Sequence, residues 1–264
     1  MNTRNEILHS FKTFFEQHKN SEEGKMLDHL SNDLTRLSYI LKAEEVVGQL
    51  PKGARVLDWG SGFGQMSFAM AKLGLNPTIY DVVKRKHNLN NELGLDLVFG
   101  TDEVKLPFED NQFDAVISCG VLEHVPNILG SLHEIYRILR PGGKFFIYNL
   151  PYILSPSEFY ASYRKISVHP IRFTKSGTTQ LLELAGFRVE AIGHENGIPK
   201  RLSGPLQKIR VLAKYLTRFF LFVDWFIVRT PIVKGLISNS IKAVAVKPEV
   251  DSPERPLLNT LWWD

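Results

Sequence analysis

The segment Val56-Leu-Asp-Trp-Gly-Ser-Gly-Phe-Gly64 places an acid and three glycines at the end of an apolar run. A strand that enters a glycine-rich turn and then a helix brings backbone N–H groups close to a ligand, because glycine lacks a Cβ and accepts positive φ. Seventeen residues beyond Gly64, the stretch Thr78-Ile-Tyr-Asp81 ends a second apolar run on a carboxylate. An acid in that place can accept hydrogen bonds from ribose hydroxyls, or cap the segment that follows by accepting from its N–H groups. The two features together point to a nucleotide-bearing cofactor. The spacing Gly60-x-Gly62-x-Gly64 departs from the dinucleotide fingerprint, since Gln65 stands where its third glycine belongs. The rest of the chain does not read as a second nucleotide-binding half, so a NAD-dependent dehydrogenase is the weaker interpretation.

Among titratable side chains, His124 is the candidate general base, because imidazole titrates near neutrality. It follows the fourth apolar run, on the side where α/β sheets bind ligands. Glu123 beside it is a hydrogen-bond partner or part of the pocket wall. His169, Tyr152, Tyr160 and Tyr163 lie in a Pro-, Ser- and Tyr-rich stretch, 151–172, which reads as a loop or lid over an acceptor. The single cysteine, Cys119, excludes a disulfide framework and argues against a cysteine zinc site. The histidines and acids show no ligand spacing, so no metal is expected.

These residues need a frame. Residues 5–48 have helical apolar periodicity, broken near Asn20 to Gly24. Strands are expected over 55–58, 77–83, 95–99, 113–118, 144–149, 187–192 and 241–246, with helices over 66–73, 129–139 and 174–185. The alternation implies a parallel sheet. Pro141-Gly142-Gly143 should stop the helix and start the next strand.

Residues 101–125 read Thr-Asp-Glu-Val-Lys-Leu-Pro-Phe-Glu-Asp-Asn-Gln-Phe-Asp-Ala-Val-Ile-Ser-Cys-Gly-Val-Leu-Glu-His-Val, and Glu134-Ile-Tyr-Arg-Ile-Leu-Arg-Pro-Gly-Gly143 follows. With the glycine turn, this series resembles the class I S-adenosylmethionine (SAM)-dependent methyltransferases, in the small-molecule branch that carries "LPF…FD…EH…E..R.L.PGG". The resemblance spans about residues 54–150, is weaker over 171–193, and is absent over 1–27 and 197–240. It implies a doubly wound α/β fold with a seven-stranded, mostly parallel sheet whose last strand runs antiparallel between the fifth and sixth. It also implies SAM as cofactor. Asp58, Gly60, Ser61, Gly62 and Gly64 match the motif around its methionine part. Asp81, with Val82 after it, matches the ribose-binding acid, and Asp102 and Glu103 would lie beside the adenine. Cys119, Gly120 and Val121 match the pocket floor. Trp59 stands where the family usually has a smaller or apolar residue, and would pack under the cofactor or in the core. The implied reaction moves a methyl group to a small-molecule or lipid-linked acceptor, with an oxygen of a sugar, glycan or quinone favoured. A SAM-binding partner subunit without catalysis is the alternative.

Composition fits this reading. With 264 residues, 44% hydrophobic and 23% charged, the chain is that of a globular protein. Residues 1–50 are expected to form N-terminal helices, 51–196 and 241–247 the SAM-binding domain, 197–240 a helical insertion, and 248–264 a C-terminal arm. Within 198–240, eight basic residues face the single acid Asp224, a charge of +7 in a chain whose total is +4. The same segment holds Phe219-Phe-Leu-Phe-Val-Asp-Trp-Phe-Ile-Val228, too short to span a bilayer. Basic residues beside Trp, Phe and Leu describe an interfacial helix on an anionic membrane, a cap over the acceptor pocket, or a homodimer contact. The continuous apolar run argues against nucleic acid, which needs sparse aromatic platforms among basic groups. Met1 to Gln17 has no uninterrupted apolar run, so no signal peptide is expected. A cytoplasmic location is expected, with peripheral attachment to the inner membrane face under the interfacial reading.

Overall fold

The computed structural model describes residues 3–95, 97–102, 104–165, 169–196 and 238–249. Helix α1, Thr3–His18, buries Ile7, Phe11 and Phe14, one stripe at helical spacing. A 3₁₀ segment, Met26–Ser31, leads into α2, Asp33–Val47, whose cap Asn32 accepts from Thr35 N at 2.8 Å. Then follow β1 (Arg55–Trp59), α3 (Gln65–Lys72), β2 (Asn76–Asp81), β3 (Leu97–Phe99), β4 (Phe113–Cys119), α4 (Ile128–Ile138), β5 (Leu139–Pro151), α5 (Pro156–Tyr163), α6 (Lys175–Leu184), β6 (Arg188–Glu195) and β7 (Ser240–Val246).

The strands form one sheet in the order β3-β2-β1-β4-β5-β7-β6. The pairs from β3 to β5 are parallel, and β7 runs antiparallel between β5 and β6. The strand order reverses between β1 and β4. That switch point opens a crevice at the carboxyl ends of the strands, and the glycine turn and the 119–124 segment both sit there.

Side chains alternate across the sheet. Val56, Ala115, Ile117, Phe146 and Tyr148 pack against α1, α2 and α3. Leu57, Val116, Phe145 and Ile147 face the opposite side, with Leu132, Ile135 and Leu182 of α4 and α6. Both faces are covered, which is the condition for a buried parallel sheet. Trp59 is 2% exposed and belongs to the second cluster, so it is core.

Two local expectations need correction. The strand expected over 144–149 begins at Leu139, which pairs with Phe113 before the register shifts to Ala115 opposite Lys144. Gly142, at φ +72°, makes the shift possible, and the chain after β7 holds the irregular edge by Lys247 N to Gly143 O and Gly142 N to Lys247 O. The stretch 151–172 is not all loop, because it contains α5. Ser155 caps that helix by accepting from Glu158 N at 3.1 Å, and Pro156 occupies its first turn. Ser-Pro-Ser-Glu158 is a readable helix start that composition alone conceals.

Candidate active site

The glycine turn crosses from β1 to α3 by three positive-φ residues, Gly60 at +73°, Gly62 at +56° and Gly64 at +84°. They have different reasons to be glycine. A Cβ on Gly60 would stand 2.5 Å from Val121 Cγ2, and one on Gly64 would stand 2.3 Å from Asn90 Nδ2. These two are demanded by the protein's own packing. A Cβ on Gly62 would meet nothing within 4 Å among the described residues. That open side faces the crevice, where a ligand can approach the backbone. Ser61, 6% exposed, lies between them with its Oγ buried and without a hydrogen bond among the described residues.

Two acids set the turn in place. Asp81 accepts from Gly62 N at 2.8 Å through Oδ2 and from Val83 N at 2.8 Å through Oδ1. It therefore caps a turn rather than a helix. Each carboxylate oxygen keeps a further lone pair for a hydroxyl. Val82 beside it is partly buried against the core. Asp58, 2% exposed, accepts from Ser67 N at 3.0 Å and so holds the first turn of α3. Burial pushes its carboxyl up to about 6, with the nearby Asp81 charge adding and the Ser67 hydrogen bonds opposing. A buried anion of this kind suits a cationic ligand group.

Sequence reading missed the clamp on this turn. Asn88 Nδ2 donates to Gly62 O at 3.2 Å, Asn90 Nδ2 donates to Ser67 Oγ at 2.8 Å, and Leu89 N donates to Phe63 O. The signal lies in the polar run Asn88-Leu-Asn-Asn91, whose side chains have no obvious partner until the fold closes.

On the β2 side, the Asp102 carbonyl accepts from the Tyr80 hydroxyl at 2.5 Å, and its Oδ1 accepts from Val104 N and Lys105 N. Those N–H groups hold the Asp102 carboxyl below its ordinary value. Glu103 lies outside the described residues. The Glu134/Arg137 pair explains the "E..R" motif mechanically. Glu134 accepts from Leu106 N at 3.0 Å, and Arg137 donates to Phe108 O, Leu106 O, Asp110 and Glu134. The pair pins the Leu106-Pro-Phe108 loop onto α4.

After β4, Cys119 Sγ accepts from Asn149 Nδ2 at 3.2 Å, and Gly120, at φ +74°, donates to Tyr148 O. Val121 covers Gly60. Next come Glu123, 2% exposed, and His124, whose side chain is 47% exposed. Their closest approach, Glu123 Oε1 to His124 Nε2, is 4.0 Å. The fold brings His169 to them, its ring centroid 5.7 Å from that of His124. His169 Nδ1 stands 2.8 Å from Glu158 Oε1 on α5. Burial first, and then His169, lowers the His124 imidazole. Burial, and then the Glu158 charge, raises the Glu123 carboxyl to about 7. Tyr160 and Tyr163 are exposed, and Tyr152 packs edge-on against His194.

The N-terminal helices also reach this crevice. Tyr39 of α2 is partly buried near Cys119, Asp58 and Glu195, and burial followed by those ionisable neighbours raises its phenol. Lys42 Nζ donates to Asn149 Oδ1 at 2.5 Å and lies 3.3 Å from Glu195 Oε2, with little of either side chain exposed.

Residues 57–147 match the model of the methyltransferase domain family. The chain carries a class I SAM-dependent methyltransferase domain. A sterol 24-C-methyltransferase from Saccharomyces cerevisiae is 29% identical over 64% of the chain and 50% of its own length. A ubiquinone biosynthesis O-methyltransferase from Xanthomonas oryzae pv. oryzae is 38% identical over 37% of the chain and 44% of its own length. The chain thus spans about half the length of the curated relatives it matches. Among solved structures, the complex of the Haloferax volcanii methyltransferase activator Trm112 with its methyltransferase aligns over 89% of the chain and 97% of the matched one, with TM-score 0.57 and 20% identity. The [4+2]-cyclase SpnF aligns over 81% and 82%, with TM-score 0.56 and 20% identity. Such likenesses show the methyltransferase fold, and the cyclase shows that the fold alone does not fix a reaction.

The methyltransferase domain's cofactor is SAM, and the crevice suits it. The uncovered side of Gly62, the spare lone pairs of Asp81 and the buried charge of Asp58 are the features that a ribose and a cationic sulfonium amino acid require. Cys119, Gly120 and Val121 border the same crevice from β4. Residues 197–237 and 250–264, which include most of the expected insertion and arm, lie outside the described residues.

Proposed function

We propose that the protein transfers the methyl group of SAM to an oxygen of a small-molecule or lipid-linked acceptor. Val121 carries the proposal: it touches Gly60 of the cofactor turn and lies two residues from Glu123, three from His124. Cofactor side and acceptor side therefore share one short segment at the switch point. SAM supplies an activated methyl on a sulfonium leaving group. The chain's own task is to align the acceptor with that methyl and keep water away, which proximity and orientation supply. Asp81 and the N–H groups of the glycine turn hold the cofactor side. Glu123, His124 and His169 form the acceptor-side cluster that receives an acceptor hydroxyl.

Similarity to a sterol 24-C-methyltransferase and a ubiquinone biosynthesis O-methyltransferase supports a hydrophobic acceptor. The described surface beside the cluster agrees: Leu154, Phe159 and Tyr163 are 61%, 77% and 79% exposed on and before α5. Together with the basic and apolar 198–240 segment, they favour work at an anionic membrane surface on the cytoplasmic side. Apolar side chains would enter the headgroup boundary, and each nearby Lys or Arg would add roughly 1 kcal/mol. No helix among the described residues is long and apolar enough to cross a membrane.

Calorimetry with SAM and its demethylated product tests the first step, and Asp81→Ala should weaken both. Well-folded protein that binds neither would end the proposal. Methyl transfer is then followed with labelled SAM on quinol, glycolipid and soluble sugar acceptors. Binding without transfer to any acceptor would favour a partner subunit. For the membrane part, flotation with anionic vesicles should fall with salt and with polar replacement of Phe219, Phe222, Trp225 and Phe226. Protein that never floats would assign a soluble acceptor.

A further inference from the structure

We propose that Glu123, His124 and His169 form a binding site for a divalent first-row transition cation on the acceptor side of the crevice. One carboxylate oxygen and one nitrogen from each ring all lie within 4.8 Å of one another. Ligands held about 2.1 Å from one ion stand at most about 4.2 Å apart, so a small closure completes the set. The His124 side chain, nearly half exposed, is free to make it.

The second observation is Glu123 itself. It is 2% exposed, and its Oε2 is buried without a hydrogen bond among the described residues. A carboxylate so placed costs several kcal/mol unless something positive meets it. Glu158, 8% exposed, repeats the pattern, its Oε2 lacking a hydrogen bond among the described residues, with Arg172 Nε 3.7 Å away. Its other oxygen holds His169 Nδ1 at 2.8 Å. A carboxylate accepts, so the ring carries its proton on Nδ1 and presents a bare Nε2. A carboxylate that fixes the tautomer of a histidine is the usual support of a histidine ligand. Glu158 is therefore a positioning residue.

Two imidazoles and one carboxylate select Zn²⁺, Mn²⁺ or Fe²⁺ over Mg²⁺ or Ca²⁺, which prefer all-oxygen shells. Three protein ligands leave a position open. The use of that position rests on the methyl-transfer reading: an acceptor hydroxyl bound there becomes more acidic and is turned toward the methyl group. Cation binding itself does not depend on that reading.

The test uses the full chain, dialysed against chelator and titrated with Co²⁺, whose visible absorption reports its ligand geometry, and then with Zn²⁺ in competition. One equivalent should bind. Glu123→Gln, His124→Ala and His169→Ala should each weaken it at least tenfold, and Glu158→Gln about 10–100-fold. Circular dichroism establishes that each variant is folded, and the exposed His124 is the variant least able to disturb the fold. SAM binding by the same metal-free wild-type protein is measured separately, so loss of one reading is not loss of the other. The proposal is overturned if folded wild-type protein binds no stoichiometric cation. It is equally overturned if binding survives His124→Ala and His169→Ala but disappears in His18→Ala, since His18 and His87 stack at 4.0 Å elsewhere and offer the competing pair.

Discussion

Replacing Asp58 by asparagine should stabilise the protein at neutral pH. The buried carboxyl titrates at about 6 in the fold, against an ordinary value of 3.8. Below 3.8 the group is neutral in both folded and unfolded chains, and it costs nothing. Between about 3.8 and 6 the unfolded chain ionises while the folded one keeps its proton, so stability falls across that window and levels off above about 6. The difference of about two units corresponds to about 3 kcal/mol once both states are charged. Asparagine is close to isosteric, and its Oδ1 can still accept from Ser67 N, so it keeps the anchor and drops the charge. Urea melts of wild type and Asp58→Asn at pH 4, 6 and 7.5 should show curves that nearly coincide at pH 4. The variant should gain up to about 3 kcal/mol at pH 7.5, with m unchanged. SAM affinity should fall in the same variant, because the charge it loses is the one placed for a cationic ligand. A gap between the two proteins that does not change with pH would refute the reasoning. So would a variant less stable than wild type at pH 7.5.

Other outcomes follow from the same geometry. Gly60→Ala should lose about 2–4 kcal/mol by thermal melting, from a positive φ together with the Val121 overlap. Gly62→Ala should lose only the smaller backbone cost, about 1–2 kcal/mol, while weakening SAM strongly in calorimetry, because its Cβ enters open crevice. Arg137→Ala frees the Leu106-Pro-Phe108 loop from two carbonyl partners and two acids, and should raise the loop's amide exchange and lower SAM affinity without touching the ligand. Lys42→Ala leaves Glu195 buried and uncompensated, and should cost about 3–5 kcal/mol by urea melts, with partial recovery on adding Glu195→Gln.

The sheet was legible because its strands are short apolar runs and its turns are glycines and acids at strand ends, signals carried by neighbouring residues. The periodicities of 55–59, 65–72, 113–119 and 240–246 belong to single elements, so one dimension of pattern sufficed. Asp58, the three glycines and Asp81 were readable for the same reason: each acts through the turn that contains it or the adjacent strand. The start of β5 was not, because Leu139 becomes a strand residue only by pairing with Phe113 and with the chain after β7.

The sequence by itself determined a parallel α/β alternation and a glycine turn followed by an acid at a strand end, since local spacing decides both, and its resemblance to a family supplied the strand order. Only the tertiary structure decided which glycine is open to a ligand and which is filled by Val121 or Asn90. Only it could carry Tyr39 and Lys42 of an N-terminal helix to the floor of the crevice, or set His169 of a distant loop beside Glu123 and His124. Those relations join residues far apart in the chain, and no periodicity records them. They exist once burial of both sheet faces has fixed where each loop must return.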